Sequence, residues 1–163
     1  MLLPAMSVEQ EFDNAVAKIG KSLLEPQGFS PRAETQALVV KIHGWSFLRP
    51  RDARFSEGVG LWVADNPGRF TVELGVVPKD GRFFDAALLD DDNWLKFGRR
   101  ERLGVAIHGP EAPESFEGLL ERDFVFFRDQ MDLEQRLQRA ILLALQRGQA
   151  VWDRFAKLLA QKS

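Results

Sequence analysis

The apolar and polar positions of the chain alternate most regularly in the stretch GRFTVELGVV, residues 68–77. Apolar side chains fill positions 70, 72, 74 and 76, whereas Thr71, Glu73 and Gly75 stand between them. Because successive side chains of a strand point to opposite faces, this alternation predicts a strand with one buried face and one mostly polar face. The polar face is expected to meet solvent or a partner.

A second alternating stretch, VGLWVAD, precedes the first and completes a predicted antiparallel hairpin over residues 58–77. Its apolar residues occupy alternate positions between 59 and 63, and Trp62 is expected on the opposite face. Asn66, Pro67 and Gly68 separate the two strands. They are typical of a tight turn, because proline fixes φ and glycine accepts a positive φ.

Near the start of the chain, helical spacing of apolar residues predicts a first helix. Ser7 and Gln10 have the spacing of a capping box, and Pro26 and Gly28 are expected to end the helix. The apolar stripe consists of Val8, Phe12, Ala15, Val16, Ile19 and Leu23.

A second helix is predicted from Asp132 to about Ala160. Its stripe consists of Leu133, Leu137, Ile141, Ala144, Leu145, Val151, Trp152, Phe155 and Leu158. Gly148 lies within this stripe and costs about 1 kcal/mol relative to alanine. We therefore expect a kink there, or the close approach of another backbone, rather than a break.

The remaining segments predict shorter elements. Residues 30–44 have helix punctuation at both ends but also an alternating apolar pattern, and a helix is favoured over a strand. The stretches WSFLRPR, RLGVAIH and DFVFFRD each predict a strand. Strands clustered between two helices indicate an α+β fold, with an antiparallel sheet of about four to five strands packed under an N-terminal helix and a long C-terminal helix.

Composition is consistent with a single domain over residues 1–163, with residues 1–6 expected to form a disordered tail and Met6 an alternative start. The 22 basic and 24 acidic side chains give a net charge of −2, which provides no electrostatic reason to expect nucleic acid or a membrane as partner. The absence of cysteine excludes thiol catalysis and cysteine-based zinc sites, and it fits a cytoplasmic protein. No cofactor is expected.

Two histidines, His43 and His108, each stand in an Ile-His-Gly stretch. In one interpretation they converge in a pocket with Arg99, Arg100 and Arg102, as in a ligand-binding protein or a hydrolase. In the other they are separate, partly exposed residues at the ends of two elements. No third ligand at a telling spacing accompanies the histidines, so the sequence predicts no metal site and no catalytic residue.

Three adjacent acids, Asp90, Asp91 and Asp92, precede Trp94. Calcium loops use carboxylates at alternating positions, and these three acids are adjacent, so they do not have the pattern of a calcium loop. The run instead predicts a solvated acidic loop, or a contact for a basic partner with the tryptophan as an anchor. Arginines cluster in FGRRERLG and LRPRDAR, but acidic residues interrupt both stretches. Salt bridges on a sheet face are therefore expected in preference to nucleic-acid binding.

The segments RFTVELGVV, RRERLG and AVWDRFAKLL, in that order, resemble the bacterial domain of unknown function 4304 family. The matching points are Gly28, Phe29 and residues 70–75, 102–104 and 152–155, within a resemblance over residues 12–159. The family has no established enzyme activity, and some relatives look like immunity proteins encoded beside bacterial toxins. The resemblance implies a protein-binding module whose partner is a toxin.

Three hypotheses follow from the sequence. The favoured one is a small protein-binding module, with the acidic run and Trp94 at the contact. The second is the ligand-binding protein or hydrolase with the histidine and arginine pocket. The third is a secretion chaperone, which the size and the order of the elements fit, but the polar strand faces do not favour it.

Overall fold

The computed structural model describes residues 6–34, 42–87, 98–104 and 124–161. The described residues form an α+β fold in which an antiparallel sheet carries an N-terminal helix and a long C-terminal helix, as predicted. The predicted site residues Asp90, Asp91, Asp92, Trp94 and His108 lie outside the described ranges.

Within the described ranges, six strands form the sheet: β1 (Ser30–Glu34), β2 (His43–Pro50), β3 (Phe55–Ala64), β4 (Arg69–Pro78), β5 (Arg99–Arg102) and β6 (Val125–Phe126). The strand order is β1-β2-β3-β4-β5, and β6 pairs with the start of β4. The β3–β4 hairpin confirms the prediction over residues 58–77 and is longer, since its pairing extends from Phe55 to Pro78. In its turn Asn66, and not Gly68, has a positive φ, of 61°.

Two predicted elements are corrected by the strand pairing. Ser30–Glu34 is a strand paired with β2, and not the start of a helix. Pro31 fits there because β1 lies at the edge of the sheet, where a missing backbone N–H is tolerated. The strand predicted over residues 102–108 lies earlier, at Arg99–Arg102, and residues 105–108 are outside the described ranges.

The first helical region begins with the predicted capping box, in which Ser7 Oγ accepts from Gln10 N at 3.1 Å and Gln10 Oε1 accepts from Ser7 N at 2.9 Å. It consists of α1 (Val8–Ala15), a π turn (Val16–Gly20), α2 (Lys21–Leu24) and a 3-10 turn (Glu25–Gln27), and it ends at Gly28 with φ of 92°. The π turn inserts one residue per turn. As a result Leu24 is fully buried at the end of this helical region, in place of Leu23 of the predicted apolar stripe.

The C-terminal helix, α3 (Gln130–Gln161), continues without a break through Gly148. A Cβ at Gly148 would stand 2.7 Å from the ring of Trp152, so the close neighbour is a side chain one turn along and not another backbone. The inward faces of α3 and α1 pack on the sheet in one core, against Val59, Leu61, Phe70 and Leu74. Among the described helices, none has both the length and the hydropathy that a membrane span requires.

The opposite face of the sheet is buried as well, which corrects the prediction of a polar face open to solvent or a partner. Thr71 is 3% exposed and Glu73 is 0% exposed. A 3-10 turn, Phe83–Asp85, lays the Phe83 ring across Gly58, Gly60 and Gly75, and a Cβ at Gly75 would stand 2.8 Å from that ring. Glycines on neighbouring strands thus leave room for an aromatic ring, which covers the face.

Candidate functional site

The structure separates His43 from the arginines with which it was predicted to share a pocket. His43 begins β2, and two strands stand between β2 and β5. His43 aligns through Val63 with the start of β4, whereas Arg99 aligns with Val76, which lies six residues further along. Six residues of strand span about 20 Å. The histidine and the arginines therefore occupy opposite corners of the sheet.

The three arginines of β5 are themselves divided between the two faces. Arg99 aligns with Val76 on the helix-covered face and is 0% exposed. Arg100 and Arg102 align with Gly75 and Glu73 on the other face. Arg100 donates to Glu73 at 2.5 Å and to the Ala86 carbonyl at 2.9 Å, while Arg102 Nε lies 3.8 Å from Glu73. This arrangement confirms the predicted salt bridging for the second face.

The other arginine stretch forms a network on the helix-covered face around Glu57, which is 4% exposed. Arg49 donates to Glu57 Oε1 at 2.6 Å, and Arg51 donates to Glu57 Oε2 at 2.6 Å and to Asp153 of α3 at 2.7 Å. The hydrogen bond from Arg51 lowers the pKa of the Asp153 carboxyl. The network joins α3 to β2 and β3. Because Glu57 and Asp153 already compensate Arg49 and Arg51, it is not a phosphate site.

His43 lies where α1 meets the start of β2, and it touches α1 through two carboxylates. Its Nε2 is 2.8 Å from Asp13 Oδ1, which also accepts from Trp45 Nε1 at 2.9 Å. Its Nδ1 is 3.7 Å from Glu9 Oε2. An imidazole held by a carboxylate on one nitrogen can bind a ligand or exchange a proton on the other.

A buried acid that the sequence analysis missed lies on the opposite face. Glu34 is 1% exposed, and its Oε1 accepts from the Phe83 amide at 2.7 Å and from Arg32 at 3.0 Å. Burial raises the pKa of this carboxyl. Arg32 and the Ser46 hydroxyl act against this rise. Glu34 therefore anchors the Phe83–Asp85 turn through the Phe83 amide.

The outward side of α3 is a surface on which the described residues combine exposed apolar and charged groups. Met131 is 68% exposed and Leu142 is 49% exposed. Arg139, one turn before Leu142, and Arg147, five residues after it, are both exposed, and within the described part of the chain neither has an ion-pair or hydrogen-bond partner. We call Met131, Gln135, Arg139, Leu142, Gln146 and Arg147 the outer α3 surface.

In the described ranges, no group of three or more potential metal-ligating side chains is close enough to hold a metal ion. Comparisons with protein-family models, with curated proteins and with solved structures found no match. The resemblance to the domain of unknown function 4304 family therefore stays a prediction. The described geometry contains a candidate binding surface on α3 and a carboxylate-held histidine at the α1–β2 corner.

Proposed function

We propose that the protein is a protein-binding module and that its partner docks on the outer α3 surface. One contrast along the helix carries the proposal. Arg136 donates to Asp132 at 2.9 Å and Arg154 pairs with Glu101, whereas Arg139 and Arg147 have no such partner among the described residues. Exposed arginine and methionine are both enriched in protein interfaces, and this surface carries Arg139, Arg147 and Met131.

The charge of the helix supports an acidic partner. Between Glu134 and Asp153, α3 carries three arginines and no acidic residue. The helix is 32 residues long, or about 48 Å, so it offers an extended surface. The partner that fits is an acidic protein surface with an apolar group opposite Leu142.

An immunity protein bound to a toxin is the specific form of this module that the family resemblance implies, and a cytoplasmic location belongs to the same proposal. The residues first predicted for the contact, Asp90, Asp91, Asp92 and Trp94, remain a second predicted contact. They would meet a basic part of the partner, whereas the outer α3 surface meets an acidic part.

The other two hypotheses receive less support. A hydrolase pocket needs His43 close to Arg99 and Arg100, and these residues lie at opposite corners of the sheet. A chaperone that presents apolar strands to a client needs an open strand face. The apolar residues of β3 and β4 are buried under the helices on one face, and Phe83 and Phe84 lie on the other.

The test is site-specific photo-crosslinking from position 142 in the native lysate, with position 80 as the control site. We expect a protein cross-linked from position 142 through an acidic peptide. The charge reversal Arg139→Glu/Arg147→Glu should reduce this product at least about tenfold, because close like charges across an interface are costly. The matched reversal Lys79→Glu/Arg82→Glu, at exposed positions outside α3, should not reduce it.

Equal labelling from positions 142 and 80, or a product insensitive to the α3 reversal, would show that the outer α3 surface is not the docking site. The immunity function adds a further requirement. Purified protein should inhibit the activity of the captured partner, and the α3 reversal should remove this inhibition. A partner that is bound without inhibition would retain the binding module and exclude the immunity function.

A further inference from the structure

We propose that His43 Nδ1 and Glu9 form a binding site for a divalent transition-metal ion such as Zn²⁺, and that Asp13 orients the imidazole for it. The tautomer of His43 follows from Trp45. The indole N–H of Trp45 can only donate, and it donates to Asp13 Oδ1 at 2.9 Å. That oxygen is therefore an acceptor, and the His43 Nε2 at 2.8 Å from it must carry a hydrogen.

The other ring nitrogen is consequently the one that can bind a ligand. In the neutral imidazole Nδ1 holds the lone pair when Nε2 is protonated. The His43 side chain is 24% exposed and that of Glu9 is 61% exposed, so both are accessible from solvent. The Phe12 ring packs edge-on against the imidazole at a centroid distance of 6.3 Å and limits its rotation.

The spacing of the two donors suits a metal ion better than a direct hydrogen bond. Glu9 Oε2 lies 3.7 Å from His43 Nδ1, which is beyond hydrogen-bond range. Zinc binds imidazole nitrogen and carboxylate oxygen at about 2.0–2.2 Å, so an ion between these atoms would subtend an angle of about 120°. Rotation of the exposed Glu9 side chain would bring that angle to the tetrahedral value.

The surrounding groups complete a known type of site. A histidine that binds a metal usually donates its other ring N–H to a carboxylate, and Asp13 is in that position. Within the described residues the protein supplies two direct ligands, so water would fill the remaining positions. Imidazole with carboxylate favours Zn²⁺, Ni²⁺ or Cu²⁺ over Ca²⁺ and Mg²⁺.

The first test is nitrogen NMR of the imidazoles at pH 8, where an ordinary histidine is neutral. The chain has only two histidines, so each can be assigned by substituting the other. We expect His43 with its proton on Nε2 in the wild type and a mixture of tautomers in Asp13→Ala. A wild-type His43 with its proton on Nδ1 would overturn the proposal.

The second test is calorimetric titration of the full chain with Zn²⁺ alone. We expect His43→Gln to abolish binding, Glu9→Gln to weaken it at least tenfold, and Asp13→Ala to weaken it about 10–100-fold. His108→Gln, which changes the other Ile-His-Gly stretch, is the matched control and should bind like the wild type. Glu9 is an exposed position, so its variant should stay folded, which the tryptophan fluorescence checks.

Two calorimetric outcomes would overturn the site. One is the absence of wild-type binding at millimolar Zn²⁺. The other is binding that is lost in His108→Gln and kept in His43→Gln, since the metal would then be held elsewhere in the chain. Neither outcome bears on the outer α3 surface, which lies on a different helix.

Discussion

The two faces of the sheet are covered by different means. Under α1 and α3, side chains from β3 and β4 and from the helices interlock in one apolar core. On the opposite face a short turn lays Phe83 over glycines of β3 and β4. Glu34, from β1 at one edge of the sheet, accepts from the Phe83 amide, and Arg100, from β5 at the other end of the strand order, donates to the Ala86 carbonyl. The first face is buried by long elements, whereas a few residues and buried charges close the second.

The difference shows what a period-2 pattern reports. Phe70 and Leu74 alternate with Glu73 and Gly75, but neither set of positions in β4 faces solvent. A polar residue in a strand can be buried when a partner compensates it, as Arg100 compensates Glu73. A glycine in a strand can mark the place where an aromatic ring packs directly on the backbone, as Phe83 does at Gly75. A polar strand face is therefore not evidence of an exposed one.

The largest effect should come from removing one phenylalanine from each face. Phe70 and Phe83 are both 0% exposed. We expect Phe70→Ala and Phe83→Ala each to lower the free energy of unfolding by about 3–5 kcal/mol, because each leaves a cavity of the same chemistry. Urea unfolding monitored by fluorescence measures both. A cost below about 0.5 kcal/mol for Phe83→Ala would mean that the second face is an ordinary surface and not a core.

A smaller effect should come from filling the glycine positions under Phe83. A Cβ at Gly60 would overlap the Phe83 ring. Gly60→Ala should lower the free energy of unfolding by about 1–3 kcal/mol, as expected for overpacking. Gly20→Ala is the matched control on the helix-covered face, since its Cβ would meet Phe47 at an ordinary 3.4 Å and alanine favours a helix by up to about 1 kcal/mol. Equal costs for the two substitutions would remove the contrast between the faces.

The long periodic elements of the fold could be predicted from the sequence. The β3–β4 hairpin, the capping box at Ser7 and the helix around Gly148 all follow from local spacing and local hydrogen bonding. The strand Ser30–Glu34 could not be predicted in the same way, because its identity depends on pairing with β2. Its serine and proline are compatible with a helix start, and the tertiary partner decides.

The candidate site was harder to predict from the sequence than the fold. Glu9 and Asp13 are four residues apart, so their shared helix face is visible in the sequence. Their contact with His43, 30 residues after Asp13, requires the packing of α1 beside β2. The outer α3 surface is similar. The lack of acids between Glu134 and Asp153 is visible in the sequence, but only the structure shows that Arg139 and Arg147 have no partner among the described residues. Glu34 had no signal of burial at all.

The smallest expected effect is a change of folding stability with pH, which arises from one buried acid on each face of the sheet. Burial raises the pKa of Glu34 on the second face and of Glu101 on the helix-covered face. A raised folded-state pKa means that the folded protein holds the proton more tightly than the unfolded chain. Each group therefore contributes stability that is fully present below the unfolded pKa of about 4.3 and lost as the pH rises through the folded pKa.

Replacement by glutamine should remove this loss, so the stability of Glu34→Gln and Glu101→Gln relative to the wild type should increase between pH 4 and pH 7. Unfolding by urea at several pH values measures the change. Both variants should show the increase even though an arginine compensates each carboxyl in part, Arg32 for Glu34 and Arg154 for Glu101. A relative stability of Glu34→Gln that falls with rising pH would show that Arg32 holds Glu34 ionised in the fold, as an ordinary ion pair.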